Sequence, residues 1–354
     1  MTLNTLKIFL PALIAFLIGV AITPRLTSIF YKHRLWKRVA RTDSATNPTI
    51  TDEYKSVHDT DTELSTPRVG GVIIWITVLL TMLTVFLLSR VFPTDLLQEL
   101  NFFSRNQTLL PIFALVLGGV LGLAEDLLEI FPPRSASIAH GLSRAMRVYV
   151  IAGLGLLFAL WFYYKLDVSM INVPFVGDVN LGIWFIPFFI LVVLGTFSSR
   201  VIDGIDGLSS GVLISVFGAY GLIAFIQNQI DMATLCAVIV GALLVFLWFN
   251  IPPAHFWMGE TGMLGLTLSL ALIAFLTHSV LLLPIIGLPL VLTSLSSFIQ
   301  IMSKRFRNGK RVFKVAPLHH HFQVLGWPSH KVTMRYWVVS VISAFVGIII
   351  SVIG

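Results

Sequence analysis

The sequence predicts an all-α polytopic membrane protein with about ten transmembrane helices, and three observations carry that prediction. Of its 354 residues, 56% are hydrophobic and 12% charged, where a soluble domain carries about 25% charged residues. The mean hydropathy is +0.89. Apolar runs of bilayer-crossing length, about 17–25 residues, recur from one end to the other with no soluble stretch of domain size between them.

The runs fall at about 8–24, 69–89, 108–124, 148–164, 181–199, 209–227, 233–250, 262–280, 282–302 and 336–353. A basic stretch follows the first one, rather than a small-residue cleavage site, so it reads as a retained span and not a leader. The stretch from Gly262 to Met302 would measure about 60 Å as one helix, twice the hydrocarbon thickness of about 30 Å. It must turn, near Thr277-His278-Ser279 or at Pro284. Cys236 stands alone within an apolar run, which excludes a disulfide framework and reads as a buried structural thiol.

Basic residues set the orientation. Twenty of the 24 Lys and Arg lie in the loops after the odd-numbered spans, above all in 25–68 and 304–335. Only Lys7, Arg90, Arg105 and Lys165 lie on the other side. The odd-numbered loops are therefore expected in the cytoplasm and both termini on the outer, periplasmic face. The first loop, Arg25 to Arg68, has a basic then an acidic half; the basic half suits anionic lipid heads.

On this layout Glu125, Asp126, Asp203, Asp206 and Glu260 all sit at cytoplasmic ends of spans, in three separate loops. Charge at that depth is costly and marks function by default. In "GLAEDLLE" two adjacent carboxylates repel unless a cation or a proton relieves them. In "DGIDG" the i, i+3 spacing puts Asp203 and Asp206 on one face if the turn is helical, and Gly204 and Gly207 let a bulky ligand approach the backbone. In "FNIPPAHFWMGETG", Pro252-Pro253 breaks the helix and Glu260 stands at the start of the next span. Carboxylates without Cys, and without a paired-His helix motif, suit Mg²⁺, which binds through one or two carboxylates, water and substrate phosphates.

Three consecutive histidines, His319, His320 and His321, follow a basic segment in "KRVFKVAPLHHHFQVLGW". Adjacent rings do not converge on one ion, so they read as donors to phosphate or sugar oxygens. Arg68, in "STPRVGGV", reads either as part of a tight turn or as a guanidinium fork for phosphate. Acids, a cation and histidines on one membrane face point to chemistry on a pyrophosphate, with a lipid partner arriving sideways from the bilayer. A coupled transporter would place acids near the midplane, and none is evident there.

The stretches "TPRVGG", "GLAEDL", "VIDGIDGLSSG", "NIPPAHFWMGETG" and "PLHHHFQVLGW", in this order, resemble the polyprenyl-phosphate N-acetylhexosamine-1-phosphate transferases over nearly the whole chain. The segment "RVFKVAPLHHHFQVLGWPSHKVTMRYW" is similar to the branch using a muramoyl-pentapeptide donor, while Arg68 leans toward the N-acetylglucosamine branch. The resemblance implies a single integral membrane transferase domain over 1–354, with its active site on cytoplasmic loops 124–147, 199–210, 250–262 and 303–335. It implies transfer of a sugar phosphate from a UDP-sugar to undecaprenyl phosphate, with release of UMP, in the bacterial cytoplasmic membrane. Membrane lipids and a homodimer partner fit such an enzyme; nucleic acid does not.

By the same resemblance Glu125, Asp126, Asp203, Asp206 and Glu260 form the catalytic acids, with Glu260 and Asp203 on Mg²⁺. Trp257 matches an aromatic that stacks on uracil, and Asn250 lies in the same nucleotide-binding stretch. His319, His320 and His321 match histidines near the sugar-phosphate or uridine site, and Arg68 and Arg200 are further substrate contacts. The chain departs from the pattern at several of these positions. The paired acids are Glu125-Asp126 rather than two Asp, and Glu260 stands for an Asp. Arg200 and Phe197 replace two Asn, and Glu129, with Glu63 or Leu64, falls where Lys is expected. The expectation is compensation: Arg200 and Arg68 neutralise the pyrophosphate in place of the lost lysines. A diverged homologue without catalysis is the competing expectation.

Overall fold

The computed structural model describes residues 2–37, 60–92, 94–104, 107–132 and 143–354. Arg38, Arg41 and Lys55 of the first loop, Arg105, and Arg134 lie outside the described residues. The chain is a helical bundle. Its long helices are α1 (Thr2–Lys32), α2 (Gly71–Val91), α3 (Leu109–Ile130), α4 (Arg144–Leu160), α5 (Phe185–Ser198), α6 (Leu208–Ile226), α7 (Ile230–Asn250), α8 (Gly259–Leu276), α9 (Leu288–Phe306) and α10 (Ser329–Ile353). Among the described residues nine helices are long and apolar enough to cross a membrane, and ten if Val280–Ile286 and α9 are one broken span.

The expected turn after α8 falls at Thr277–Ser279, where His278 takes φ 51°. A second break was not expected. Val280–Ile286 and α9 meet at an angle of 81° at Gly287, and each of Pro284 and Pro289 sits in a first helical turn, where a missing N–H is tolerated. The span expected at 282–302 is thus two pieces. α1 is also longer than its apolar run, at 31 residues and about 46 Å. Between α4 and α5 lies a two-stranded antiparallel hairpin, β1 (Met170–Val173) with β2 (Gly177–Asn180), in a stretch too short and too polar to register as an apolar run.

α8 is the axis. Every residue from Gly259 to Phe275 except Glu260 is buried, which explains an apolar sequence with no polar face. It packs on α2, α3 and α5, and glycines allow the close crossings, as small residues do between membrane helices. A methyl group on Gly122 of α3 would lie 2.1 Å from the Glu260 carbonyl oxygen, and one on Gly71 of α2 would lie 2.1 Å from the Gly262 nitrogen. These contacts fix the ends of α2 and α3 against the N-terminus of α8, where the acids gather.

Candidate active site

The site is assembled around the first turn of α8, whose leading N–H groups have no partner within the helix. Two carboxylates from other elements accept from them. Asp126, near the end of α3, accepts from the Glu260 amide at 3.2 Å with Oδ1, and from the Thr261 amide at 2.8 Å and hydroxyl at 2.7 Å with Oδ2. Asp203 accepts from the Gly259 amide at 3.1 Å and from the Ser209 hydroxyl at 2.8 Å. Both negative charges therefore sit at the positive end of the helix dipole. Gly259 is obligatory there: its φ is +66°, and a Cβ would lie 2.0 Å from the Arg68 carbonyl oxygen.

Every acid expected at the site has a partner. The Glu260 carboxylate pairs with Arg200 through Oε1, and its Oε2 is buried with no hydrogen-bond partner. Glu125 pairs with Arg147 of α4, at 2.5 Å from Nε. Glu129 takes Lys37 and, at 3.5 Å, Arg68, leaving the buried Arg68 Nε without a hydrogen bond. The Arg200 guanidinium also lies 4.5 Å from the centre of the Phe197 ring, so the two residues expected to be Asn form a cation–π contact. Arg200 is thus engaged by Glu260, rather than standing free for a pyrophosphate.

The i, i+3 spacing of "DGIDG" does not put its two acids on one face. The chain leaves the 3-10 turn Ser199–Ile202 at Asp203, with ψ 65°, and re-enters helix through Gly207 at φ 73°. Asp206 is carried away from α8 and accepts from the Trp257 indole N–H at 3.0 Å and the Ala254 amide at 3.4 Å. Asn250 accepts from the Gly207 amide and donates to the Phe256 carbonyl, both at 2.8 Å. These bonds staple the 250–258 loop to the acid turn. The same loop pairs with the Arg68 segment: Trp257 N–H donates to the Pro67 carbonyl at 2.8 Å, and Gly70 N–H to that of Trp257 at 2.9 Å.

The histidines divide. His319 and His320 pack against the acid turn so closely that a Cβ on Gly204 would meet their Nε2 atoms at 2.5 and 2.8 Å. His320 shares a hydrogen bond of 2.7 Å with Gln323. His321 faces the other way, its Nδ1 accepting from the Lys314 amide at 3.2 Å. Burial and the Lys314 charge hold its pKa below the usual histidine range. Burial raises Asp203 above the usual carboxylate range, against the Ser209 and Gly259 bonds and the Arg68 charge, and nearby Glu260 adds to the rise. Burial raises Asp206 as well, against its bonds from Trp257 and Ala254.

Sequence reasoning passed over Thr261, Ser209, Arg147 and Lys37. The Thr after Glu260 and the Ser six residues after Asp203 are visible signals once an acid is known to seek a donor. Arg147 and Lys37 give no local sign, because their partners come from other helices. The donors fit a divalent cation: Glu260, with one buried oxygen that has no hydrogen-bond partner, and Asp203 would be the one or two carboxylates such an ion takes. Among the described residues no three His, Cys, Asp or Glu side chains form a ready-made metal cage, so water and substrate phosphates would complete the coordination.

Nine or ten helical spans among the described residues, with two acids at the buried N-terminus of a central helix, define a polytopic membrane enzyme whose polar chemistry lies at one end of the bundle. Residues 108–278 match the model of glycosyl transferase family 4. The chain is 34% identical over 304 residues to a phospho-N-acetylmuramoyl-pentapeptide-transferase of Chloroflexus aurantiacus, covering 82% of this chain and 78% of that one. It is 33% identical over 335 residues to that of Chloroflexus aggregans (91% and 83%), and 34% identical over 302 residues to that of Listeria monocytogenes (84% and 87%). The chain belongs to the family of phospho-N-acetylmuramoyl-pentapeptide-transferases, and it is a phospho-sugar transferase.

Proposed function

We propose that the protein transfers phospho-N-acetylmuramoyl-pentapeptide from UDP-MurNAc-pentapeptide to undecaprenyl phosphate, giving lipid I and UMP for peptidoglycan synthesis in a bacterial cytoplasmic membrane. The observation that carries this reading is similarity, over more than four-fifths of the chain, to proteins named for that transfer. The acid cluster at the N-terminus of α8 supports it. A phosphate oxygen of the lipid attacks the phosphorus next to the sugar, the bond to the bridging oxygen of the pyrophosphate breaks, and UMP leaves. The second pKa of a phosphate monoester is about 6, so the nucleophile is already largely dianionic at neutral pH and needs no general base. Positioning and charge stabilisation then supply most of the rate.

Mg²⁺ held by Glu260 and Asp203 would neutralise charge on the leaving pyrophosphate oxygens. Asp126 holds the first turn of α8 so that Glu260 stays aimed at the site. His319 and His320 present ring nitrogens beside the acid turn as donors to substrate oxygens. Arg68, anchored by Glu129, offers its free Nε–H. Asp206 and Asn250 shape the loop that carries Trp257 for the uracil ring.

UMP release by purified protein, undecaprenyl phosphate and Mg²⁺ tests this, comparing UDP-MurNAc-pentapeptide with UDP-GlcNAc. Release selective for the pentapeptide donor and lost in Glu260→Gln is expected. Preference for UDP-GlcNAc would move the assignment to the branch that Arg68 favours. Binding of donor without turnover would establish a diverged, non-catalytic homologue.

A further inference from the structure

From Thr261 to the end of the chain there is no Asp or Glu, yet eight Lys and Arg lie between Lys304 and Arg335. The helix leading into them, α9, buries a polar seam. Thr293, Ser296, Gln300 and Ser303 recur at spacings of three and four, which is one helix face, and all are buried. Leu295, Phe298, Ile301 and Phe306 are exposed instead.

The seam has a use. The Ser296 hydroxyl oxygen accepts from the Leu318 amide at 2.9 Å, and the Ser303 hydroxyl donates to the Lys310 carbonyl at 2.8 Å. The Gln300 side chain accepts from the Val312 and Phe313 amides, each at 3.0 Å, and donates to the Phe313 carbonyl at 2.8 Å. The backbone of 310–318 is thereby fastened along α9. The side chains of Lys304, Arg305, Arg307, Lys310 and Lys314 stay outside and exposed. None of these five makes an ion pair among the described residues.

We propose that this arm, residues 304–314, is a docking surface for the anionic phospholipid headgroups of the leaflet it faces. The exposed apolar side of α9 requires hydrocarbon, and it sets the cations that follow Met302 at the depth of the headgroups rather than in bulk water. A soluble anion would need the cations but not the apolar stripe beside them. Each Lys or Arg near an anionic leaflet strengthens binding about fivefold. A backbone already fixed by the Ser and Gln seam has little entropy left to lose. The inference stands apart from the transferase reading, since neither substrate is needed for it.

The test is native mass spectrometry of the full-length protein in detergent micelles doped with phosphatidylglycerol or phosphatidylcholine. Wild type is expected to retain phosphatidylglycerol in preference, with the preference shrinking as salt rises. Lys310→Gln/Lys314→Gln is expected to lose about tenfold or more of that preference, and a variant with Lys304, Arg305, Arg307, Lys310 and Lys314 all replaced by Gln, leaving Arg311 in place, to lose most of it. Unfolding temperatures in the same detergent confirm that both variants are folded; the double variant alone decides if the fivefold variant does not fold. Equal retention of the two lipids by wild type overturns the proposal, as does a preference untouched in Lys310→Gln/Lys314→Gln. Displacement of the lipid by inorganic pyrophosphate, at concentrations that leave it bound to the double variant, reassigns the arm to a soluble anion and also overturns it.

Discussion

At the residue scale, the pairing of Arg200 with Glu260 decides how the departures from the family pattern are read. Removing Arg200 would leave a mostly buried carboxylate without its cation, and such losses are costly. Arg200→Ala is expected to lower UMP release at least tenfold. In a double-mutant cycle with Glu260→Gln, read by thermal unfolding in detergent, the pair is expected to couple by about 1–3 kcal/mol; simple additivity would dissolve the pair. Asp203 gives a pH prediction. Its raised pKa means that protonation, and with it loss of the proposed hold on Mg²⁺, begins above the ordinary Asp value of about 3.9. Activity should therefore fall on the acid side with a midpoint above that value. Added Mg²⁺ should move the limb to lower pH, because the ion binds only the ionised form. An acid limb that stays put as Mg²⁺ rises would take Asp203 off the metal. The stability contribution has the opposite sign: the folded state holds this proton more tightly, so that contribution is present at low pH and lost as pH rises through the raised pKa. All the acids of the site were legible in the sequence as charges in an apolar chain. Their division of labour was not. Asp126 meets Thr261 across 135 positions, and Asp206 is turned from Asp203 by the φ of Gly207, which no spacing rule registers.

At the element scale, the close crossing of α3 and α8 transmits helix packing to the site. Asp126 lies one turn beyond Gly122, on the helix whose approach that glycine sets. Gly122→Ala drives a methyl into the Glu260 carbonyl, a backbone atom that cannot rotate away. The helices must part, and a shift of about 1 Å costs on the order of a hundredfold in rate. Gly122→Ala is expected to lose activity to that degree and to unfold at lower temperature. Gly153→Ala in α4, where a Cβ meets nothing within 4 Å, is the control and should match wild type in both. Equal behaviour of the two variants would detach the site from this crossing. Ten spans were readable from hydropathy alone, because bilayer thickness dictates their length. The break at Gly287 was not, since hydropathy runs on across Ile286 and Leu288. The polar seam of α9 was hidden too, its Ser and Thr residues looking like interruptions until the basic loop is laid along them.

At the scale of the whole molecule, the orientation expected from the sequence, with 20 of the 24 Lys and Arg in the loops after the odd-numbered spans, is itself a testable prediction. The acids, the histidines and the basic arm belong to those loops, so on the proposed function they must face the cytoplasm for a UDP-sugar to reach them. The hairpin of β1 and β2, with Phe175 and Val176 exposed at its tip, lies beside the C-terminus, where the Phe175 amide donates to the Gly354 carbonyl at 3.2 Å, and on this orientation both would stand on the outer face. Cys236, the one cysteine in the chain, is fully buried, so introduced cysteines can report sidedness without first removing it. A membrane-impermeant maleimide added to intact spheroplasts is expected to label Val176→Cys at once and Lys310→Cys only after permeabilisation, with wild type silent under both conditions. Labelling of Lys310→Cys in sealed cells would invert the topology and place the acid cluster where no nucleotide sugar is made. Labelling of wild type would mean that α7 opens to solvent at Cys236, against its close packing with α1 and α6.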